Sequence, residues 1–208
     1  MSHLTRLPTQ PPAPVAALVA LLREVPPSCG PVRLVAVDGH AGSGKTTFAG
    51  RLAVALGGAP VLHLDALASH DAFFDWTGRL TEAVLSPLSH GRSARYRVYD
   101  WARGEFPADP AAESVLDPEP VVVVEGVGAG RRALRPYLAC LLWMDMSPAK
   151  AWRRGRKRDG PELTEFWRAW TRAERTHFAE DPSSSYANFV VRQGVQGYEV
   201  RRGPEGHR

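Results

Sequence analysis

The chain has 208 residues, of which 44% are hydrophobic and 23% charged, the composition of a globular protein that can bury a substantial core. Its 26 basic and 22 acidic residues give a net charge of +4, which fits an anionic ligand as well as a nucleic acid. No apolar stretch reaches the roughly 18 residues of a membrane-spanning helix, so we expect no membrane partner. The separated Cys29 and Cys140 predict a reduced, cytoplasmic setting, with Cys140 in the core.

Both chain ends are predicted to lie outside the main domain. Four prolines between positions 8 and 14 indicate a loose leader, and a helix is predicted at about 15–24, so residues 1–30 form an N-terminal leader and helix. Residues 31–200 then form the ligand-binding domain. The tail 201–208 is predicted to be frayed or disordered.

The run GHAGSGKT at 39–46 matches the phosphate-loop pattern G-x-x-x-x-G-K-[ST] at every fixed position. A buried strand is predicted before it at 32–37, and apolar residues at helical spacing follow over 48–56. The glycines would let backbone N–H groups point inward, and the helix N-terminus would add donors and partial positive charge. Lys45 is predicted to reach the β- and γ-phosphates. The nucleotide-binding set is Gly39, His40, Ala41, Gly42, Ser43, Gly44, Lys45, Thr46 and Thr47.

Further elements alternate along the chain. Strands are predicted at 60–65, 121–126, 140–146 and 188–192, and helices at 77–88, about 130–136, 147–158 and 161–178. Such alternation predicts a parallel α/β sheet, whose ligands bind at the carboxyl ends of the strands. Asp65 and Glu125 end two of the predicted strands, so we expect both carboxylates near the glycine loop.

These two carboxylates have chemical uses beside the glycine loop. Asp65 could accept a proton from an acceptor hydroxyl and orient it for attack, or it could be an ordinary helix cap or turn residue. Glu125 could lie near Mg²⁺ or the acceptor, or form a structural salt bridge. With the Thr46 hydroxyl, Glu125 completes the predicted metal site.

Six basic residues fall within positions 150–158. They could form a lid helix over about 147–160 whose Arg154 and Arg158, four apart on one face, close over phosphates and neutralise charge. They could also form a nucleic-acid patch or a solvated helix face. Gly155 and Gly160 would allow such a lid to move.

The segment YRVYDW at 96–101 is predicted to be extended and could bind a planar or hydroxyl-bearing acceptor. Aromatic faces stack on flat rings, and a carboxylate accepts hydrogen bonds from hydroxyls. The alternative is a packed loop. The candidate acceptor-binding residues are therefore Asp65, Glu125 and, in this segment, Tyr96, Tyr99, Asp100 and Trp101. His63 and His177 belong to no metal-spacing motif and are interpreted as structural.

The segment DGHAGSGKTT at 38–47 resembles the phosphate loop of uridine kinases and their relatives, phosphoribulokinase and bacterial pantothenate kinase. The likeness continues in order to about residue 192. HLD at 63–65 resembles the family's strand end with its catalytic aspartate, and YRVYDW resembles its acceptor-site segment. VEGV at 124–127 resembles its Glu-Gly strand end, and Arg154 and Arg158 resemble its lid arginines.

The resemblance implies an α/β P-loop NTPase fold of the nucleoside-monophosphate-kinase type, with a helical lid over a parallel sheet flanked by helices. It implies ATP and Mg²⁺ as cofactors and phosphorylation of a small-molecule hydroxyl, with a uridine- or cytidine-like nucleoside as the leading acceptor. If the family's roles apply to the matching residues, Asp65 would be the catalytic base, and Lys45 and Thr46 would bind the nucleotide and the metal. Arg154 and Arg158 would be the catalytic cations of the lid.

The sequence departs from the family at two points. ALA at 66–68 replaces an aromatic pair that shapes the family's acceptor pocket, and Gly155 stands where a second lid arginine is common. A kinase for a non-nucleoside acceptor, or a nucleotide-dependent ATPase or switch without an acceptor, are therefore the alternatives. Nucleic-acid binding ranks last because the net charge is modest. A homo-oligomer remains open.

Overall fold

The computed structural model describes residues 15–195 and 197–207, and the leader predicted over 1–14 lies outside these ranges. Its centre is a six-stranded sheet with the strand order β2-β5-β1-β6-β7-β8. The strands are β1 (Arg33–Asp38), β2 (Val61–His63), β5 (Val121–Glu125), β6 (Cys140–Met144), β7 (Phe189–Gly194) and β8 (Gly197–Arg202), while β3 (Ala94–Tyr96) and β4 (Ser114–Leu116) form a separate pair. Neighbours in the large sheet are parallel except β7 and β8. The predicted parallel sheet is confirmed for every pairing except that of β7 with β8.

Helices cover both faces of this sheet. They are α1 (Val15–Glu24), α2 (Lys45–Ala55), α3 (Thr77–Leu80), α4 (Ser86–Ser89), α5 (Pro148–Asp159) and α6 (Thr164–Glu180). Among these helices, none combines the length and apolar character that a membrane span needs.

Alternate side chains of the central strands enter two different cores. Val122 and Val124 of β5 pack in the core that contains Leu80 and Leu88. Val121 and Val123 pack on the other face, in the core formed with α1 and α2. Since side chains alternate across a strand, a continuous valine run is what a strand covered on both faces requires.

The helix predicted at 77–88 is a composite. Thr77–Leu80 and Ser86–Ser89 are α-helical, and Thr81–Leu85 between them is π-helical. Pro87 has no N–H to donate to the turn that precedes it, which weakens the α-helical hydrogen bonding there.

Three other sequence expectations are corrected. The segment 104–119, predicted to be a loop, contains β4, which pairs antiparallel with β3. The helix predicted near 130–136 is a series of turns with one 3-10 turn, Arg135–Tyr137. Within the tail predicted to fray, Arg201 and Arg202 lie in β8, paired with β7, and the Gly203 N–H donates to the Asn188 carbonyl at 2.8 Å. These backbone hydrogen bonds order the start of the tail.

Candidate active site

The glycine loop lies between the end of β1 and the start of α2, as predicted. Gly42 and Gly44 have φ angles of +84° and +96°, a conformation that side chains rarely allow. Since α2 begins at Lys45, its first backbone N–H groups have no carbonyl partner within the helix and are available to an anion. Lys45 Nζ donates to the loop carbonyls of Gly39 at 2.9 Å and His40 at 3.1 Å, which places its charge on the loop.

A cavity of about 310 Å³ opens above this loop. It brings together loop residues, both predicted carboxylates and both predicted lid arginines. Its lining includes Gly42, Gly44, Lys45, Thr46, Thr47, Asp65, Glu125, Arg154 and Arg158. Helix N-terminus, ammonium and guanidinium groups around one cavity suit a chain of phosphates. We call it the phosphate cavity.

A chain of hydrogen bonds links the loop to two strand ends. Thr46 Oγ1 donates to Glu125 Oε1 at 3.0 Å, and His63 Nδ1 lies 2.6 Å from the same oxygen. Glu125 is buried, so these partners hold its carboxylate in place. The hydrogen bond to Glu125 raises the pKa of His63, although partial burial opposes it. His63, interpreted from sequence as structural, therefore contacts the site.

Asp65 lies in a 3-10 turn directly after β2. The residue is exposed to the cleft, yet protein atoms crowd its carboxyl group from the surrounding walls. This crowding, together with the negative charge of Glu125, raises the pKa of Asp65, while Lys45, His63 and Arg158 oppose the rise. A carboxylate with a raised pKa is a stronger proton acceptor.

A second cavity of about 450 Å³ adjoins the phosphate cavity, and Asp65 and Arg158 line both. Its walls are largely aromatic, and we call it the aromatic pocket. Its lining is Ala41, Asp65, His70, Trp101, Ala102, Arg158, Asp159, Leu163, Phe166, Trp167 and Trp170. The Trp101 indole N–H donates to the Asp65 carbonyl at 3.1 Å, which ties one wall to the turn that carries the carboxylate.

Of the predicted acceptor segment, Trp101 alone lines this pocket. Tyr96 lies in β3 and packs against the core. Tyr99 is buried, and its hydroxyl lies 2.9 Å from Nδ1 of the pocket residue His70. Asp100 accepts from the N–H groups of Ala102 and Arg103, which fixes the turn around Trp101. Tyr99 and Asp100 thus support the pocket from behind, whereas Tyr96 belongs to the core.

The predicted lid is α5, and it is docked against the glycine loop. An ideal Cβ on Gly42 would lie 2.1 Å from the carbonyl oxygen of Ala151 in α5. One on Gly155 would lie 2.2 Å from the Trp167 ring of α6. Gly155, interpreted from sequence as a source of mobility, is thus explained by close packing between the two helices. The remaining basic residues of the run, Lys150, Arg153, Arg156 and Lys157, are exposed.

Sequence reasoning missed the carboxylate of Glu174, which is fully buried in α6. It contacts His40 and the Ala41 N–H of the glycine loop, and it accepts from the indole N–H groups of Trp152 and Trp170. In sequence Glu174 is one of several charged residues on an amphipathic helix, and no local pattern distinguishes it.

In sequence, Asp38 is distinguished only by its position directly before the glycine motif. Its carboxylate accepts from the N–H groups of Gly39, Gly128 and Gly130 at 2.6, 2.9 and 2.8 Å. This fixes the loop after β5 against the glycine loop. His177 stacks on Phe74 at 4.9 Å between ring centroids and lines neither the phosphate cavity nor the aromatic pocket. It lines a separate cavity of about 880 Å³ together with Arg131 and Asp181, and its structural role stays a prediction.

Neither a protein-family model nor a curated protein sequence matches the chain. Solved structures do. A protein described as a possible uridine kinase from Bacillus stearothermophilus matches with a TM-score of 0.62 and 17% identity, over 85% of this chain and 96% of that one. A protein provisionally described as a fructose transport system kinase from Silicibacter sp. matches with a TM-score of 0.54 and 23% identity, over 80% of this chain and 88% of that one.

These likenesses establish the class of fold. The chain has an α/β P-loop NTPase fold, and its structural neighbours are uridine kinase-like and other P-loop kinase structures. The expected fold class is confirmed.

Proposed function

We propose that this protein is an ATP-dependent kinase that transfers the γ-phosphoryl group to a hydroxyl of a small molecule. One observation carries the proposal: Asp65 lies where the phosphate cavity meets the aromatic pocket and lines both. A kinase needs its proton acceptor at that junction, since acceptor hydroxyl and γ-phosphate must meet there in line.

Each group at the junction has a role in the transfer. The acceptor oxygen attacks the γ-phosphorus, the bond from that phosphorus to the β–γ bridging oxygen breaks, and ADP leaves. Asp65 accepts the proton of the attacking hydroxyl. Lys45, Arg154 and Arg158 line the phosphate cavity and balance the charge that spreads over the transferred group.

The residues present also fit Mg²⁺. The Thr46 hydroxyl and the Glu125 carboxylate form an adjacent pair of hard oxygen ligands, 3.0 Å apart. Within residues 15–195 and 197–207 no cluster of three His, Cys, Asp or Glu side chains could hold a metal. Mg²⁺ commonly takes one or two protein oxygens and completes its shell with phosphates and waters. When bound, it would neutralise charge on the β- and γ-phosphates.

The aromatic pocket favours a flat acceptor. The rings of Trp101, Phe166 and Trp170 line it, and such faces stack on planar rings. We therefore keep a uridine- or cytidine-like nucleoside as the leading acceptor. Leu67 and Ala68, two of the three residues that replace the resembled family's aromatic pair, are buried in the core, so the rings come from other segments. A non-nucleoside acceptor such as a sugar is the second candidate, as one structural neighbour is described as a fructose transport system kinase.

The test is ADP release from ATP and Mg²⁺ in the presence of nucleosides, pantothenate, sugars, sugar phosphates and amino alcohols. We expect one compound to stimulate release. Asp65→Asn should lower the stimulated kcat by about 10²–10⁴, the range for loss of a general base, with ATP affinity nearly unchanged. The matched control is Asp71→Asn, an exposed carboxylate that lines neither the phosphate cavity nor the aromatic pocket.

Three results would count against parts of this proposal. A fully active Asp65→Asn variant would contradict the assignment of the base. Steady ATP hydrolysis that no hydroxyl compound changes would favour the ATPase or switch. Tight, steeply salt-dependent binding of nucleic acid would favour the patch interpretation of residues 150–158. A cytoplasmic location and a homo-oligomeric state stay predictions of the sequence.

A further inference from the structure

Glu174 is a fully buried carboxylate with four donors around it. Oε1 lies 2.7 Å from His40 Nδ1 and accepts from the Trp152 indole at 2.9 Å. Oε2 accepts from the Ala41 backbone N–H at 3.2 Å and from the Trp170 indole at 2.8 Å. Each carboxylate oxygen therefore has two hydrogen-bond partners.

Such a group persists in the interior only because it is so well satisfied. Burial alone raises the pKa of Glu174, but the hydrogen bonds from His40 and Trp152 and the charge of Lys45 outweigh it, and the pKa is lowered. The carboxylate is thus ionised at neutral pH. A buried, ionised group with fixed donors holds those donors in one geometry.

The four donors belong to three parts of the active site. His40 and Ala41 are in the glycine loop, Trp152 is in the lid helix α5, and Trp170 of α6 lines both cavities. The lid helix also carries Arg154, two residues after Trp152. One carboxylate therefore joins the phosphate loop, the lid and the wall of the aromatic pocket.

Glu174 itself lines neither the phosphate cavity nor the aromatic pocket. It sits behind the loop, so it has no direct contact with a molecule in the phosphate cavity. The close approach of Gly42 to the Ala151 carbonyl shows that loop and lid pack backbone to backbone beside it. Small displacements of either part would change the position of Lys45 relative to Arg154.

We propose that Glu174 is a positioning residue for phosphoryl transfer. It holds the His40–Ala41 segment of the glycine loop and the Trp152 side of the lid in a fixed relative position, so that Lys45 and Arg154 face the same phosphates. This inference rests on the proposed function, because the relative position of loop and lid affects catalysis only if a nucleotide binds between them.

The test compares Glu174→Gln with Glu180→Gln, an exposed glutamate of the same helix. The glutamine amide would turn an N–H₂ group toward two of the four donors, so half of the hydrogen bonds are lost with little change in size. We expect the dissociation constant of Mg·ATP to rise about tenfold in Glu174→Gln, as for loss of an outer-shell contact, and less than twofold in the control.

A merely structural role is separated from positioning by a further variant. Leu22→Ala removes a buried side chain of α1, in the core between α1, α2 and the sheet, and should lower Tm. It should leave the dissociation constant of Mg·ATP unchanged at temperatures where the variant is folded. If Leu22→Ala and Glu174→Gln weaken ATP binding equally, the inference is overturned.

Trp152→Phe leaves the Glu174 charge intact and keeps an aromatic ring at position 152, but it removes one of the four donors. This variant decides the question if Glu174→Gln does not fold. We expect acceptor-stimulated kcat to fall about tenfold, with ATP affinity within twofold of wild type, because the lid side alone is released. An unchanged kcat would overturn the inference. If the wild-type protein binds no ATP, the proposed function is overturned together with this inference. If the wild-type protein binds ATP and Glu174→Gln binds it equally well, this inference alone is overturned.

Discussion

The phosphate cavity and the aromatic pocket share Asp65 and Arg158 but are built in different ways. The phosphate cavity is built around one loop, which supplies residues 41–42 and 44–47, and four charged side chains from elsewhere complete it. The aromatic pocket takes its walls from Ala41 of that loop and from three further segments, near 65–70, 101–102 and 158–170. A binding surface made by one loop follows from local backbone rules, whereas one made by distant segments depends on how the whole domain packs.

The two cavities, built differently, are also expected to contribute differently to function. Under the proposed function, the phosphate cavity would bind groups common to all nucleoside triphosphates and so define the class of reaction. The aromatic pocket would discriminate among acceptors through its shape and the few polar groups placed in it. Changes in the phosphate cavity should slow transfer to every acceptor, and changes in the aromatic pocket should alter which acceptor is used.

Among changes to residues that line only one of the two cavities, the largest effect is expected in the phosphate cavity. Lys45→Met removes the ammonium group that donates to the Gly39 and His40 carbonyls on the loop. We expect kcat/KM for ATP to fall by about 10²–10³, as for loss of one preorganised charge-stabilising donor. Lys150→Met on the exposed side of the lid helix is the control and should change it less than twofold. Equal losses in both variants would contradict the assignment of Lys45.

A smaller and more selective effect is expected in the aromatic pocket. Trp101→Leu removes an aromatic face and the hydrogen bond to the Asp65 carbonyl. Loss of stacking on a flat ring is worth about 1–3 kcal/mol, so KM for a planar acceptor should rise about tenfold to a hundredfold. KM for ATP should stay the same. Phe106→Leu changes a nearby aromatic residue that does not line the pocket, and steady-state kinetics of both variants would show whether the effect is specific.

The smallest effects concern stability and test the contact between loop and lid. Gly42→Ala forces a side chain into a φ of +84° and toward the Ala151 carbonyl, and the conformation alone costs about 1–3 kcal/mol. Gly50→Ala, in the exposed part of α2 with open space around it, should stabilise by about 0.5–1 kcal/mol. Thermal unfolding measures both. A Gly42→Ala variant as stable as wild type would contradict the docked position of α5.

The sequence predicted the architecture well where the signals are local. The glycine motif, the valine run of β5 and the carboxylates at strand ends all depend on neighbouring residues, and the structure brings Lys45, Asp65 and Glu125 into one cavity. Parallel sheets align strand ends at one edge, so a pattern of residues at those ends already predicts proximity.

What the sequence did not predict depends on contacts between distant segments. Tyr99 and Asp100 have the residue types of an acceptor site, yet packing turns them behind the pocket, where they support His70 and Trp101. Phe166 and Trp170 were predicted only as part of a helix, because nothing in that helix indicates which face meets the pocket. Glu174 has four partners, of which only Trp170 is within a helical turn of it in the chain.

The central claim is that a phosphoryl group passes from the phosphate cavity to a molecule in the aromatic pocket. The most direct test follows the γ-phosphoryl label of ATP in the presence of the acceptor that stimulates ADP release. The account predicts that the label appears in the acceptor in proportion to ADP, and that Asp65→Asn slows this transfer by about 10²–10⁴. Label that appears only as inorganic phosphate, whatever compound is present, would contradict it.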